Sequence, residues 1–129
     1  MLLLDTLVLL AILRSRFDRL DEGVRAALTR PDAELVVSVV SIWEIAIKAR
    51  LGKLRVEFAL ARLPELVCGM PAKLLPIRAE HVLTEVDPRP QTRDPFDRLL
   101  LAQCQTENLR LVTQDRQLVG HRLAGTTAS

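Results

Sequence analysis

The sequence predicts an α/β domain with a small central parallel sheet flanked by helices. Three observations predict it. Short apolar or β-branched runs (2–4, 35–39, 74–77 and 109–113) alternate with longer stretches at helical spacing. The run Leu35-Val-Val-Ser-Val39 is continuously apolar apart from Ser38, as in a strand buried on both faces. Finally, 129 residues, 49% apolar and 26% charged, suit one domain with a real core and exclude a disordered chain.

The elements follow in order. Leu2 to Leu4 form a strand that ends at Asp5. Thr6 is expected to cap a helix over 7–16, and a second amphipathic helix is expected over 20–29, stopped by Pro31. After the 35–39 strand, Ser41-Ile-Trp-Glu44 has the pattern of a capping box. Ile42, Ile45, Ala46 and Ala49 then share one helical face, and Gly52 ends that helix. Residues 57–67 read as a helix, 74–77 as a strand weakened by Pro76, and 79–86 as a helix. A loop over 87–93 leads to Asp94-Pro-Phe-Asp97, with Asp94 as cap and Pro95 at the first helical position. The strand 109–113 leads to Asp115, and the tail 125–129 is small and polar and reads as disordered.

Some classes are excluded early. MLLLDTLVLLAIL is interrupted by Asp5, is too short to span a bilayer and lacks a basic start, so it reads as core. No membrane role is expected. Cys68 and Cys104 are too far apart for a local redox or zinc motif and read as buried thiols of a reducing, cytoplasmic compartment. His81 and His121 form no metal motif by spacing. Binding by stacked rings is confined to Phe17, Trp43, Phe58 and Phe96.

The alternation of elements places the acids. Asp5 and Asp115 each close a strand, and Glu44 and Asp97 stand in the first turns of helices that start at the same carboxyl edge of the sheet. Two bare carboxylates about 4 to 5 Å apart repel by roughly 3 to 4 kcal/mol at an effective dielectric of 20. Such a set either protonates or takes up a cation. Oxygen donors without Cys or His favour Mg²⁺, or Mn²⁺ in its place. Taken singly, each acid has a plainer reading: Glu44 as the arm of the capping box, Asp94 as a cap with Asp97 its companion, Asp115 as a turn residue.

Charge supports a polyanionic substrate. The chain has 18 Lys+Arg and 16 Asp+Glu; without Asp5, Glu44, Asp97 and Asp115 the balance is 18 to 12, or +6. Lys48, Arg50, Lys53 and Arg55 form a basic run in a stretch, 45–56, that holds no acid. These four are candidate contacts to a nucleic-acid backbone, or merely a solvated helix end and loop.

The stretches LLLDT (2–6), SVVSIWEIAIKARLGKL (38–54), LLPI (74–77), RDPFDRLLLAQC (93–104) and LRLVTQD (109–115) resemble the PIN-domain ribonucleases, specifically the VapC-type toxins of bacterial type II toxin–antitoxin systems. The resemblance implies a three-layer PIN-like sandwich as a single domain over 1–124. It implies a metal site of Asp5, Glu44, Asp97 and Asp115, with the third acid ambiguous between Asp97 and Asp94. Thr6 and Thr113 match hydroxyls that orient the acids or a water. The implied activity is Mg²⁺-dependent hydrolysis of RNA phosphodiesters, in tRNA or rRNA, leaving a 5′-phosphate and a 3′-hydroxyl. The implied partners are a cognate antitoxin and a second copy of the chain, and helices 7–16 and 57–67 are the candidate apolar surfaces for them. The chain departs from the family pattern at Leu7, Ala11 and Thr92, where relatives often differ, and at 121–124, which match the last strand poorly.

Two other readings compete. A catalytically inactive PIN-like binding scaffold has no need of four intact acids. A receiver-type signalling domain needs paired acids after the first strand and a Lys after the last; Asp5 stands alone and no Lys follows Lys73.

Overall fold

The computed structural model describes residues 1–126. Four short strands form the sheet: β1 (Leu2–Leu4), β2 (Leu35–Ser38), β3 (Ala72–Leu75) and β4 (Arg110–Val112). The helices are α1 (Thr6–Leu13), α2 (Glu22–Thr29), α3 (Val39–Arg50), α4 (Leu63–Cys68), α5 (Ala79–Leu83) and α6 (Pro95–Glu107). Strand order is β3-β2-β1-β4, and every pairing is parallel. The chain steps from β1 out to β3, then returns across the sheet to place β4 on the other side of β1. The strand order therefore reverses between β1 and β4, the crevice where open parallel sheets place ligands.

The period-2 geometry of the strands divides the core into two halves. Leu2, Leu4, Val37 and Val112 pack with Val8, Leu9 and Leu10 of α1, Val24 and Ala27 of α2, and Leu63 and Val67 of α4. Leu3, Val36 and Leu111 pack on the other face with Leu100, Leu101 and Cys104 of α6. This is the α/β class with a parallel sheet expected from the alternation of elements, in the three-layer sandwich that the resemblance implies.

Several local expectations are corrected. Asp5, not Thr6, caps α1: its carboxylate accepts from the Thr6 amide, while the Thr6 hydroxyl is drawn elsewhere. The helix ends at Leu13 rather than residue 16, because the chain turns at Ser15 with a positive φ of 56°. Residues 17–19 form a separate 3₁₀ turn, so α2 starts at Glu22. β2 passes straight into α3 at Val39, and Ser38 is the cap, accepting from the Val40 amide at 3.0 Å. The capping box of Ser41 with Glu44 therefore does not form. Pro64 suits a helix start, so α4 begins at Leu63 and the expected helix 57–67 shrinks to a 3₁₀ turn plus α4. Strand β3 lies over 72–75, which leaves Pro76 outside it. α5 ends at Leu83, where Thr84 turns extended.

Cys104 is buried but Cys68 is exposed, contrary to expectation. Residues 121–124 contribute only an isolated parallel bridge from Ala124 to Leu111. The Gly125 amide donates to the Leu111 carbonyl at 3.0 Å. The rest of the expected tail, 127–129, lies outside the described residues. Among the described residues, no helix is long and apolar enough to cross a membrane.

Candidate metal centre

Five carboxylates open onto one small cavity of about 110 Å³ at the carboxyl edge of the sheet: Asp5, Glu44, Asp94, Asp97 and Asp115. Thr6, Leu7, Leu10, Lys48 and Leu54 complete its lining. Asp5 ends β1 and Asp115 follows β4, so this pair marks the point where the strand order reverses. Glu44 reaches the cavity from the second turn of α3, and Asp94 and Asp97 from the start of α6. Carboxylate oxygens of Glu44, Asp94 and Asp97 lie within 4.8 Å of one another. The five acids named from sequence are thus together.

Neutral donors hold the acids in place. The Thr113 hydroxyl donates to Asp5 Oδ2 at 2.7 Å and accepts from the Asp115 amide at 3.0 Å, which ties the β1 acid to the β4 acid. The Thr6 hydroxyl donates to Glu44 Oε1 at 2.6 Å. Its single proton being used, the Ser41 hydroxyl 2.9 Å away donates to Thr6 in turn. Thr92 Oγ1 donates to Asp97 Oδ2 at 3.3 Å and accepts from the Asp94 amide at 3.2 Å. Glu44 Oε2 receives its proton donor from Lys48, one helical turn on, and Lys48 Nζ also lies 3.5 Å from Asp94 Oδ2.

These bonds separate the roles of Asp94 and Asp97. Asp94 Oδ1 is committed to the α6 terminus, accepting from the amides of Phe96 (2.8 Å) and Asp97 (3.2 Å). Asp97 has only the long Thr92 bond, so its oxygens stay available to a ligand. Asp94 thus serves as helix cap and partner of Lys48, while Asp97 keeps its oxygens largely uncommitted.

Electrostatic strain is concentrated here. Asp5 is only 4% exposed, and burial pushes its carboxyl up to about 6. The Thr113 and Thr6 bonds pull it down, while Glu44 and Asp115 add to the rise. Asp97 is pushed up to about 7, first by burial and then by the negative charges of Asp94, Asp5, Glu44 and Asp115. Burial disfavours the Lys48 ammonium, but Glu44 and Asp94 outweigh it, and the net shift is upward. Buried, crowded carboxyls raised toward neutrality in this way fit a hard divalent cation. The donor set is all oxygen, with neither Cys nor His in the lining, which suits Mg²⁺ or Mn²⁺ better than zinc.

A broader open cleft of about 780 Å³ adjoins the cavity and shares Asp94, Asp97 and Asp115 with it. Gln91, Thr92, Arg93, Arg116 and Gln117 line the remainder. Arg93 and Arg116 therefore flank the acids, and sequence reasoning passed over both. It also passed over Thr92 and Ser41 as supports. Of the basic run, Arg50, Lys53 and Arg55 are exposed, whereas Lys48 is folded into the acid cavity. A helical Glu-to-Lys spacing of four was the signal for that pairing.

A second group, Glu80, His81 and Glu107, also gathers potential ligands. His81 is fully buried. Its Nδ1 accepts from the Arg78 amide (3.0 Å) and Gln103 Nε2 (3.2 Å), so Nε2 carries the proton and donates to Glu107 at 2.9 Å. This group is already saturated and reads as a structural tie.

A comparison with curated proteins finds no match. The PIN domain family matches residues 2–121, a span that includes every strand, α1 to α6 and all five acids. PIN domains are generally nucleases that use divalent metals. On this match and the fold that carries it, the chain belongs to the PIN domain family.

Proposed function

We propose that the chain is a Mg²⁺-dependent endoribonuclease acting as the toxin of a toxin–antitoxin pair. The observation that carries the nuclease reading is the convergence of Asp5, Glu44, Asp97 and Asp115 on one cavity, with Asp5 and Asp97 raised toward neutrality. Asp5, Glu44, Asp97 and Asp115 would hold the ion, and Mn²⁺ would substitute. A divalent ion there supplies Lewis acidity toward a phosphodiester and lowers the pKa of the attacking water.

The chain's own groups do the rest. Thr113 fixes Asp5 and Thr6 fixes Glu44, so neither carboxylate must be reoriented before it binds. Asp97, whose carboxyl is raised by burial and by its acidic neighbours, would have to be ionised to hold the ion. Arg93 and Arg116 line the cleft next to the acids and suit the phosphates on either side of the cut bond. Arg50, Lys53 and Arg55 are exposed and are further candidate contacts to the same polyanion. Few aromatic side chains are available for stacking, so the substrate is a structured RNA such as tRNA or rRNA, recognised by shape.

The toxin role, the antitoxin, a homodimer and a cytoplasmic site of action rest on the resemblance of SIWEIAIK and DPFDRLLLAQ to VapC-type toxins. Exposed Leu7 beside the cavity, with Trp43 and Leu51 exposed on α3 and at its end, offers an apolar surface to such a partner.

Cleavage of purified total tRNA and rRNA tests the reading. Wild-type protein with Mg²⁺ should cut at discrete sites and leave 5′-phosphates, and EDTA should stop it. Cutting that persists in EDTA, or survives Asp97→Asn undiminished, contradicts the metal site. Metal uptake without cleavage of any RNA points instead to a binding scaffold.

A further inference from the structure

Among the residues lining the acid cavity, Lys48 alone is basic. Its ammonium contacts Glu44 Oε2 and lies 3.5 Å from Asp94 Oδ2. Glu44 Oε1 is held by Thr6, so Oε2 is the oxygen left for a ligand, and Lys48 has it. Helical side chains lean toward the helix N-terminus, which brings the Lys48 head back to the level of Glu44 one turn earlier.

We propose that Lys48 is an exchangeable internal counter-cation. It holds Glu44 and Asp94 in the metal-free protein; a divalent ion displaces it, and the freed ammonium contacts the phosphodiester. This rests on the reading of the cavity as a metal centre.

Competition follows from charge. The ammonium and the ion want the same oxygens, and two cations a few ångströms apart in a small cavity repel. Lys48 is free to leave. Its side chain is 32% exposed and sits on a flexible four-carbon stem. In its paired position Nζ already lies 5.7 Å from the Phe96 ring, next to Asp97 in sequence. Phe96 in turn packs edge-on against the exposed ring of Trp43 at 4.9 Å. The broad cleft shares Asp94 and Asp97 with the cavity, so the freed head reaches space a backbone phosphate can enter. A fixed structural pair predicts the opposite behaviour, since Lys48 would then orient Glu44 and help the ion bind.

Calorimetric titration with Mg²⁺ and Mn²⁺ at pH 8 separates these cases. Lys48→Met should bind the ion about tenfold more tightly than wild type or better, while Lys48→Arg stays near wild type. With metal saturating, Lys48→Met should still cut RNA about tenfold more slowly or worse, because the ammonium is gone. Unchanged or weaker metal binding by Lys48→Met overturns the exchange, and an undiminished cleavage rate overturns the phosphate contact. Trp43, the single tryptophan, reports on the unmutated protein. Its emission should change as Mg²⁺ saturates, and an emission that stays constant through saturation contradicts displacement. Wild-type protein that takes up no ion defeats the metal-centre reading itself, a result distinct from any of these.

Discussion

Two buried polar groups lie on α6 and its neighbours, and they are built on opposite terms. Toward the C-terminal half of α6, Gln103 and His81 are fully buried and fully paired. Ser38 donates to Gln103 Oε1, Gln103 Nε2 donates to His81 and to the Pro76 carbonyl, and His81 donates to Glu107. At the N-terminal end of α6, carboxylates crowd one cavity with Lys48 as their only cation among the lining residues. The first group is saturated and needs nothing. The second crowds negative charge, and burial, with the neighbouring carboxylates adding to it, raises Asp5 and Asp97 toward neutrality. Like charges are ordinarily kept apart in protein interiors, so a cluster of carboxylates with perturbed protonation at the sheet's switch point marks a place suited to a ligand.

The largest expected effect breaks the strained group. Asp5→Asn or Asp97→Asn should lower the RNA cleavage rate at least about a hundredfold, about 2.7 kcal/mol of barrier, with an unchanged far-ultraviolet spectrum. Gel assays of a mapped RNA site measure it; equal rates would remove both residues from the site.

Next comes the saturated group. Gln103→Leu strands the Ser38 hydroxyl proton, removes the Gln103 donor from the Pro76 carbonyl and leaves His81 Nδ1 with the Arg78 amide alone, which should cost about 2 to 4 kcal/mol of stability. Urea denaturation at pH 7 measures it, and a loss below about 0.5 kcal/mol would mean the network contributes little.

Acid titration sharpens the contrast. Asp5 and Asp97 sit above the ordinary carboxylate value in the folded chain, so their protonation favours the native state. That contribution is complete below about pH 4 and is lost as pH rises through about 6 and about 7. For Asp5 alone the loss is about 2 to 3 kcal/mol. In EDTA, the melting temperature should fall between pH 5 and pH 8, and excess Mg²⁺ should reverse the fall. Asp97→Asn should flatten it; an unchanged slope would deny strain at that position.

Smallest is the surface term. Arg116→Ala should weaken RNA binding by about 1 kcal/mol or less while the metal affinity holds, and should reduce the salt dependence of binding. Filter binding at two salt concentrations measures both.

The sequence showed the skeleton of this arrangement because strand ends are local features. Leu2 to Leu4 before Asp5, and the LVT run before Asp115, place both acids at the carboxyl edge without long-range information. Asp94-Pro95 announces the α6 start for the same reason, through a cap and a residue without an amide proton. The start of α3 was misread because Val39 and Val40 continue a β-branched run although they are helical, so Ser41 looked like the cap. Thr92 as a brace for Asp97, and Ser38 with Gln103 as a tie between the end of β2 and α6, depend on tertiary proximity that no local pattern shows. Lys48 was visible as the partner of Glu44 by spacing but was grouped with its basic neighbours; only packing shows it turned inward.

Diffraction from crystals soaked in Mn²⁺, recorded to give the manganese anomalous signal, tests the central claim most directly. The account predicts a peak within coordination distance of Asp5, Glu44, Asp97 and Asp115, with Lys48 turned away from Glu44. Manganese absent there, or bound only at Glu80, His81 and Glu107, would contradict it.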